Sequence, residues 1–213
     1  MQRSATARGG RPPRIRPDEI LDLLSTRVDD SWTMAGLAAE LGVSEAAIYY
    51  YFSTKADLLL ALGQRLFSDL TLPRLQGDGE AWLTEVGLCL YDFFVRCPAM
   101  TGTGLDLLGD AAGEALPTES ILTDLTSAGF ALSDADTVIT TIMLLASGFA
   151  SMGVYLDGPR GQALKERALE RAAEQPATLT SQMQLAADAW DIRERFTASL
   201  RATIGGLNAL RAT

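Results

Sequence analysis

The stretch Trp32 to Leu60, WTMAGLAAELGVSEAAIYYYFSTKADLLL, holds the residues whose types and spacing suit chemistry, and that chemistry is contact with a phosphate backbone and base edges. Three consecutive tyrosines, Tyr49, Tyr50 and Tyr51, are followed by Lys55. Tyrosine rings pack on sugars and thymine methyls, their hydroxyls donate to phosphates, and a lysine ammonium is a natural phosphate partner. Thr33 suits a helix N-cap, and its hydroxyl stands where a phosphate oxygen could also bind. Bond-making chemistry has no comparable support. The chain has no histidine, no G-x-S-x-G, no Walker loop and no G-x-G-x-x-G before a strand. Carboxylate pairs such as Asp134/Asp136 read as helix-start residues. No catalytic residue, cofactor or metal site is expected. Cys89 and Cys97, eight apart with no histidine to join them, fit inert thiols of a reduced, cytoplasmic protein better than a zinc site or a disulfide framework.

Those side chains need a frame, and the same stretch supplies it. Leu37, Ala38 and Leu41 form one helical face, and Gly42 follows at the position of a left-handed C′ residue. Val43 plugs a small core and Ser44 caps the next helix, in which Ile48 and Phe52 point inward and Ala47 lets the two helices approach. Two short helices joined by a tight glycine-containing turn make a helix-turn-helix. Burial of Ile48 and Phe52 leaves Glu45, Ala46, Tyr49, Tyr50 and part of Tyr51 facing outward. A helix from Pro17 precedes this unit, and one from Lys55 to Leu70, capped by Thr54, follows it. After a break over Thr71 to Gly79, helices are expected at 79–96, 104–110, 118–128, 134–156, 162–174, 179–188 and 190–211. No stretch sustains a two-residue alternation, so the fold class is all-α: a basic arm at 1–16, a helix-turn-helix unit at 17–70 and a helical bundle at 71–213.

A net charge of −9 looks wrong for a nucleic-acid partner, but the charge is unevenly distributed. Residues 1–16 hold five arginines and no acid, whereas residues 71–213 hold 10 Lys/Arg against 18 Asp/Glu. Attraction to phosphate acts over a Debye length of about 8 Å, so the local arm outweighs the total. Arg11 and Arg14 are candidates for entering a minor groove; the plainer reading of the arm is a solvated tail.

The segment T33-x3-L37-A38-x2-L41-G42-V43-S44-x3-I48-Y49-x2-F52-x2-K55-x2-L58-L59 resembles the N-terminal part of the TetR family of transcriptional regulators. The preceding RGGRPPRIRPDEIL is similar to the arm and first helix that many members carry. The resemblance implies a homodimeric regulator, usually a repressor, that leaves a double-stranded DNA operator when a small molecule binds its C-terminal body. It implies Thr33, Tyr49, Tyr51 and Lys55 on the DNA backbone or base edges, with Ser44, Glu45, Ala46, Ala47 and Tyr50 around the recognition surface. The chain departs from the pattern in three places. Tyr51 stands where many members have histidine, and Ala35 where some present an arginine. Glu45 either accepts from a cytosine or serves the helix dipole.

One recognition helix selects too little sequence, so a dyad is expected. The candidate dimer helices are 134–156, with small residues such as Ser147 and Ser151, and 190–211, with Phe196, Leu200, Ile204 and Leu207; the alternative is that these stripes fill the monomer core. Trp82, Phe93, Phe94, Met100, Met143, Phe149, Met152 and Tyr155, with Thr140 or Asp106 for polar contact, are candidates for an effector pocket, or for ordinary core. Thr137 to Leu156 is uncharged and long enough to span a bilayer, yet its threonines, serines and glycines favour a buried helix and no membrane partner. Two rival readings remain: a helical interaction or architectural module without an effector, and an enzyme on a helical scaffold.

Overall fold

A computed structural model of the chain describes residues 15–27, 32–98, 118–186 and 189–207. Within them the regular structure is helical. In chain order the helices are α1 (Pro17–Ser25), α2 (Met34–Glu40), α3 (Glu45–Tyr49), α4 (Lys55–Ser68), α5 (Gly79–Arg96), α6 (Thr118–Ser127), α7 (Leu132–Asp157), α8 (Pro159–Glu174), α9 (Leu179–Leu185) and α10 (Ile192–Leu207). The helix expected at 104–110 lies outside the described residues, as do Arg11, Arg14, Met100 and Asp106.

Local chemistry sets the first four elements. Pro17 opens α1, and the Glu19 carboxylate accepts from the Arg16 N–H at 3.0 Å. The Thr33 hydroxyl oxygen accepts from the Gly36 N–H at 3.0 Å, capping α2. At the other end Gly42 turns left-handed, with φ +65°, and lets the Val43 N–H reach back to the Ala38 carbonyl at 3.0 Å. That bond aims α3 across α2. Ser44 holds the extended backbone of an N-cap, but its hydroxyl accepts no capping bond, contrary to the expectation from its residue type. Thr54 does cap α4, accepting from the Asp57 N–H at 3.0 Å.

The remaining helices pack around α7, which lies against α5, α6, α8 and α10. By length and composition α7 could cross a membrane. Ala135, Val138, Ile142, Met143, Ala146 and Ala150 are nevertheless buried in the protein's own core, as a central bundle helix requires. It begins two residues earlier than its sequence pattern suggests. Helix α8 also begins early, at Pro159, because Gly158 and the proline redirect the chain at once. Helix α10 starts at Ile192 instead of 190.

Gly87 lets α5 and α10 approach closely. A Cβ there would lie 2.6 Å from Leu200 Cδ2, so any larger residue would force the Leu200 side chain to move. The core does not stop at the 71–79 break. Phe67 of α4 stacks on Phe93 of α5, with ring centroids 4.5 Å apart, and the buried cluster runs from Ile15 to Ile204.

Candidate nucleic-acid interface

Ile48 is fully buried and Phe52 nearly so, and this pair decides which way α3 faces. With them inside, Tyr50 is 70% exposed and Tyr49 45% exposed, while Glu45 and Ala46 lie open beside them and Ala47 is half-buried. Thr33, Ser44 and Lys55 are also exposed. The arrangement offers aromatic rings, hydroxyls and one ammonium from the starts of α2 and α4 and the outer side of α3. This donor set suits an anionic, ring-bearing surface.

Tyr51 behaves differently from its neighbours. It is half-buried, packs on the core, and its hydroxyl donates to the Ile15 carbonyl at 2.9 Å. The family resemblance assigns that donor to DNA; in the structure the chain itself takes it, because Ile15 is docked into the core with 4% exposure. The base of the arginine arm is thereby tied to the end of α3. The Tyr51 ring also meets Tyr50 edge-on, with centroids 5.0 Å apart, and so supports the exposed ring.

Lys55 does not swing free. Its Nζ sits 4.1 Å from the centroid of the Trp32 ring and donates to the Trp32 carbonyl at 3.4 Å. Sequence reasoning singles out neither Trp32 nor Ile15, since no local pattern reports a contact across 23 or 36 residues. At the far end of α4, Arg65 pairs with Asp22 and donates to the Asp18 carbonyl at 3.3 Å, binding α4 to α1.

Residues 21–62 match the family model described as bacterial regulatory proteins, tetR family. Over those residues the chain is similar to the helix-turn-helix of that family. No curated protein sequence matches it. Among solved structures it is similar to apo ActR from Streptomyces coelicolor, at TM-score 0.72 and 19% identity over 92% of this chain and 97% of that one. It is similar also to the ActR complex with actinorhodin, at TM-score 0.73 and 18% identity over the same shares of the two chains. TetR from Acinetobacter baumannii AYE follows at TM-score 0.62 and 20% identity, covering 94% of this chain and 100% of that one. Identities this low speak for the fold alone, and the fold is shared over nearly the whole length.

Behind the helix-turn-helix, the structure redistributes the side chains expected in a pocket. Trp82, Phe93, Phe94 and Met143 are buried core. Phe149 packs on Phe196, with centroids 5.8 Å apart, while Thr140 and Met152 are half-buried and Tyr155 is 51% exposed. Of the described members of that set, only Trp82 lines the cavity of about 210 Å³ beneath the α4–α5 connection, whose other walls include Leu70, Leu72, Arg74, Val86, Ile121 and Asp124. The cavity's outer wall is firmly held. Trp82 Nε1 donates to the Pro73 carbonyl at 2.9 Å, Arg74 pairs with the mostly buried Asp124 at 2.9 Å, and the Leu75 N–H donates to the same carboxylate at 3.3 Å.

Most of the residues expected at a dimer seam pack inside this chain. Phe196, Leu200 and Ile204 point inward, Phe196 stacking on Tyr91 with centroids 4.6 Å apart, and Ser147 is buried. Leu207 is half-buried against the same core, and Ser151 alone of the six is exposed. An apolar stripe on a helix has one strongest partner, and here that partner is the chain's own α5 and α7. Burial raises the thiol pKa of both Cys89 and Cys97, which disfavours the reactive thiolate. Among the described residues no group of His, Cys, Asp or Glu gathers to hold a metal ion.

Proposed function

We propose that this chain is a homodimeric DNA-binding transcriptional regulator, a repressor released from its operator when a small molecule binds the C-terminal body. One observation carries the reading: Ile48 and Phe52 are buried while Tyr49, Tyr50, Thr33 and Lys55 stand exposed around the same short helix. Residues 17–70 then form the reading unit and residues 71–213 the sensing and pairing body, with the arginine arm of 1–16 alongside the duplex. Tyr49, Tyr50 and Ala46 face bases and sugars, and Thr33 and Lys55 face phosphates.

The dimer reading is supported by the outward face of α7. Leu144, Gly148, Ser151 and Tyr155 recur at helical spacing, are exposed and carry no charge. Pairing this face about a dyad has to set the two α3 helices about 34–36 Å apart to enter successive turns of a groove. The effector reading is supported by the cavity under the α4–α5 connection and by the small-molecule complexes of the similarly folded ActR. A ligand there would push on Leu70 to Arg74, the continuation of α4, whose first turn bears Lys55. The coupling between effector and DNA is expected at about 1–3 kcal/mol.

A mobility-shift titration on DNA from upstream of the protein's own gene tests the reading, with wild type, Tyr50→Ala and Lys55→Ala compared at several salt concentrations. Lys55→Ala should weaken binding to all sequences and lower the salt slope by about one, whereas Tyr50→Ala should also alter base preference. Equal binding by all three proteins overturns the proposed surface.

A further inference from the structure

We infer that Trp32 is a positioning residue for Lys55, holding the ammonium in place before DNA arrives so that the charge meets a phosphate already ordered. The inference rests on the regulator reading above and adds a residue to it. Trp32 is 7% exposed and belongs to the core, so its ring is a fixed object. Lys55 is exposed, yet its Nζ lies 4.1 Å from the ring centroid and within 3.4 Å of the Trp32 carbonyl oxygen. An ammonium has three donors. The carbonyl takes one and the indole face covers one side, which leaves the rest directed at solvent where a phosphate would stand.

The location fits the task. Trp32 immediately precedes Thr33, the cap of α2, and Lys55 is the first residue of α4, so the clasp ties together the starts of the two helices that flank α3. A long, exposed lysine surrenders much rotamer freedom when a partner fixes it. A clasp that orders the side chain in the free protein removes that cost from the binding step. The clasp uses a ring face and a main-chain oxygen, and among the described residues no carboxylate pairs with the ammonium, so its positive charge stays available to the duplex.

The test uses the full-length protein and a fluorescein-labelled duplex of random sequence, about 30 base pairs long, at low salt, since a phosphate contact is independent of sequence. Binding is measured for wild type, Trp32→Phe, Trp32→Leu, Lys55→Gln and the double variant Trp32→Leu/Lys55→Gln, each with its melting temperature. Trp32→Leu should weaken binding about three-fold, the scale of an exposed cation–π contact. Trp32→Phe, which keeps a ring face, should restore most of it, and Trp32→Leu should cost nothing further once Lys55 is glutamine. Equal losses in both backgrounds would show that Trp32 acts through the fold and not through Lys55, and tighter binding by Trp32→Leu would show that the clasp competes with DNA; either result overturns the inference. If Trp32→Leu does not fold, the Lys55 ε-methylene resonance in the free wild-type protein decides instead. Ring-current shifting toward high field supports the clasp, and an ordinary lysine position sinks it. Failure of wild type itself to bind the duplex is a separate result, and it removes the regulator reading together with this one.

Discussion

The two ends of this chain use aromatic side chains in opposite ways. Around α3, Tyr50 and Tyr49 are held out in solvent by a small core of Ile48, Phe52 and Leu37. In the body, Phe93, Phe94 and Phe196 are turned inward: Phe93 stacks on Phe67 and meets Phe94 edge-on, and Phe196 stacks on Tyr91. Exposed rings cost a protein apolar surface in water, whereas buried ones supply much of its stability. The difference separates a region shaped for contact from one shaped for cohesion. It also explains why Trp82, Phe93, Phe94, Phe196, Leu200 and Ile204 lie in the core: in the body the largest apolar groups had the most to gain from each other.

The comparison is sharpened most by Phe196→Ala. Loss of its stack with Tyr91 and its tilted contact with Phe149 should cost about 3–5 kcal/mol in urea unfolding, independent of protein concentration. A loss that instead shrinks at high protein concentration would return Phe196 to a subunit seam. Gly161→Ala is expected to come next. Its Cβ would lie 2.2 Å from the Tyr155 carbonyl oxygen and 2.3 Å from Leu156 Cα, backbone atoms that cannot turn aside. A cost of about 1–3 kcal/mol follows, read as a lowered denaturant midpoint, and an unchanged midpoint would mean that the α7–α8 corner is loose. The smallest effect lies at the reading end. Thr54→Ala should cost about 1 kcal/mol through its lost cap, and Ser44→Ala less than about 0.5 kcal/mol, because the Ser44 hydroxyl caps nothing. Equal melting temperatures for these two variants would contradict that contrast.

How much of this was legible depended on the range of the contacts. The cap at Thr33, the left-handed Gly42 and the inward pair Ile48 and Phe52 are all decided within a few residues of each other, so spacing alone revealed them. Ser44 shows where even local reading overreaches, since its residue type fits a cap that its hydroxyl does not make. In the body the apolar stripe of α10 was visible as a stripe, but which surface it met was not. The small residue that admits Leu200 is Gly87, more than a hundred positions earlier.

Helix periodicity, caps and the glycine turn, all consequences of near-neighbour sterics and hydrogen bonding, determined from sequence alone that the chain is all-α and bears a helix-turn-helix with outward tyrosines. Only the tertiary structure decided that Lys55 rests on Trp32, that Tyr51 is bonded to Ile15, and that Phe196 and its stripe belong to the chain's own core. Those outcomes depend on which distant surfaces compete most successfully for one another, a competition that no local pattern records.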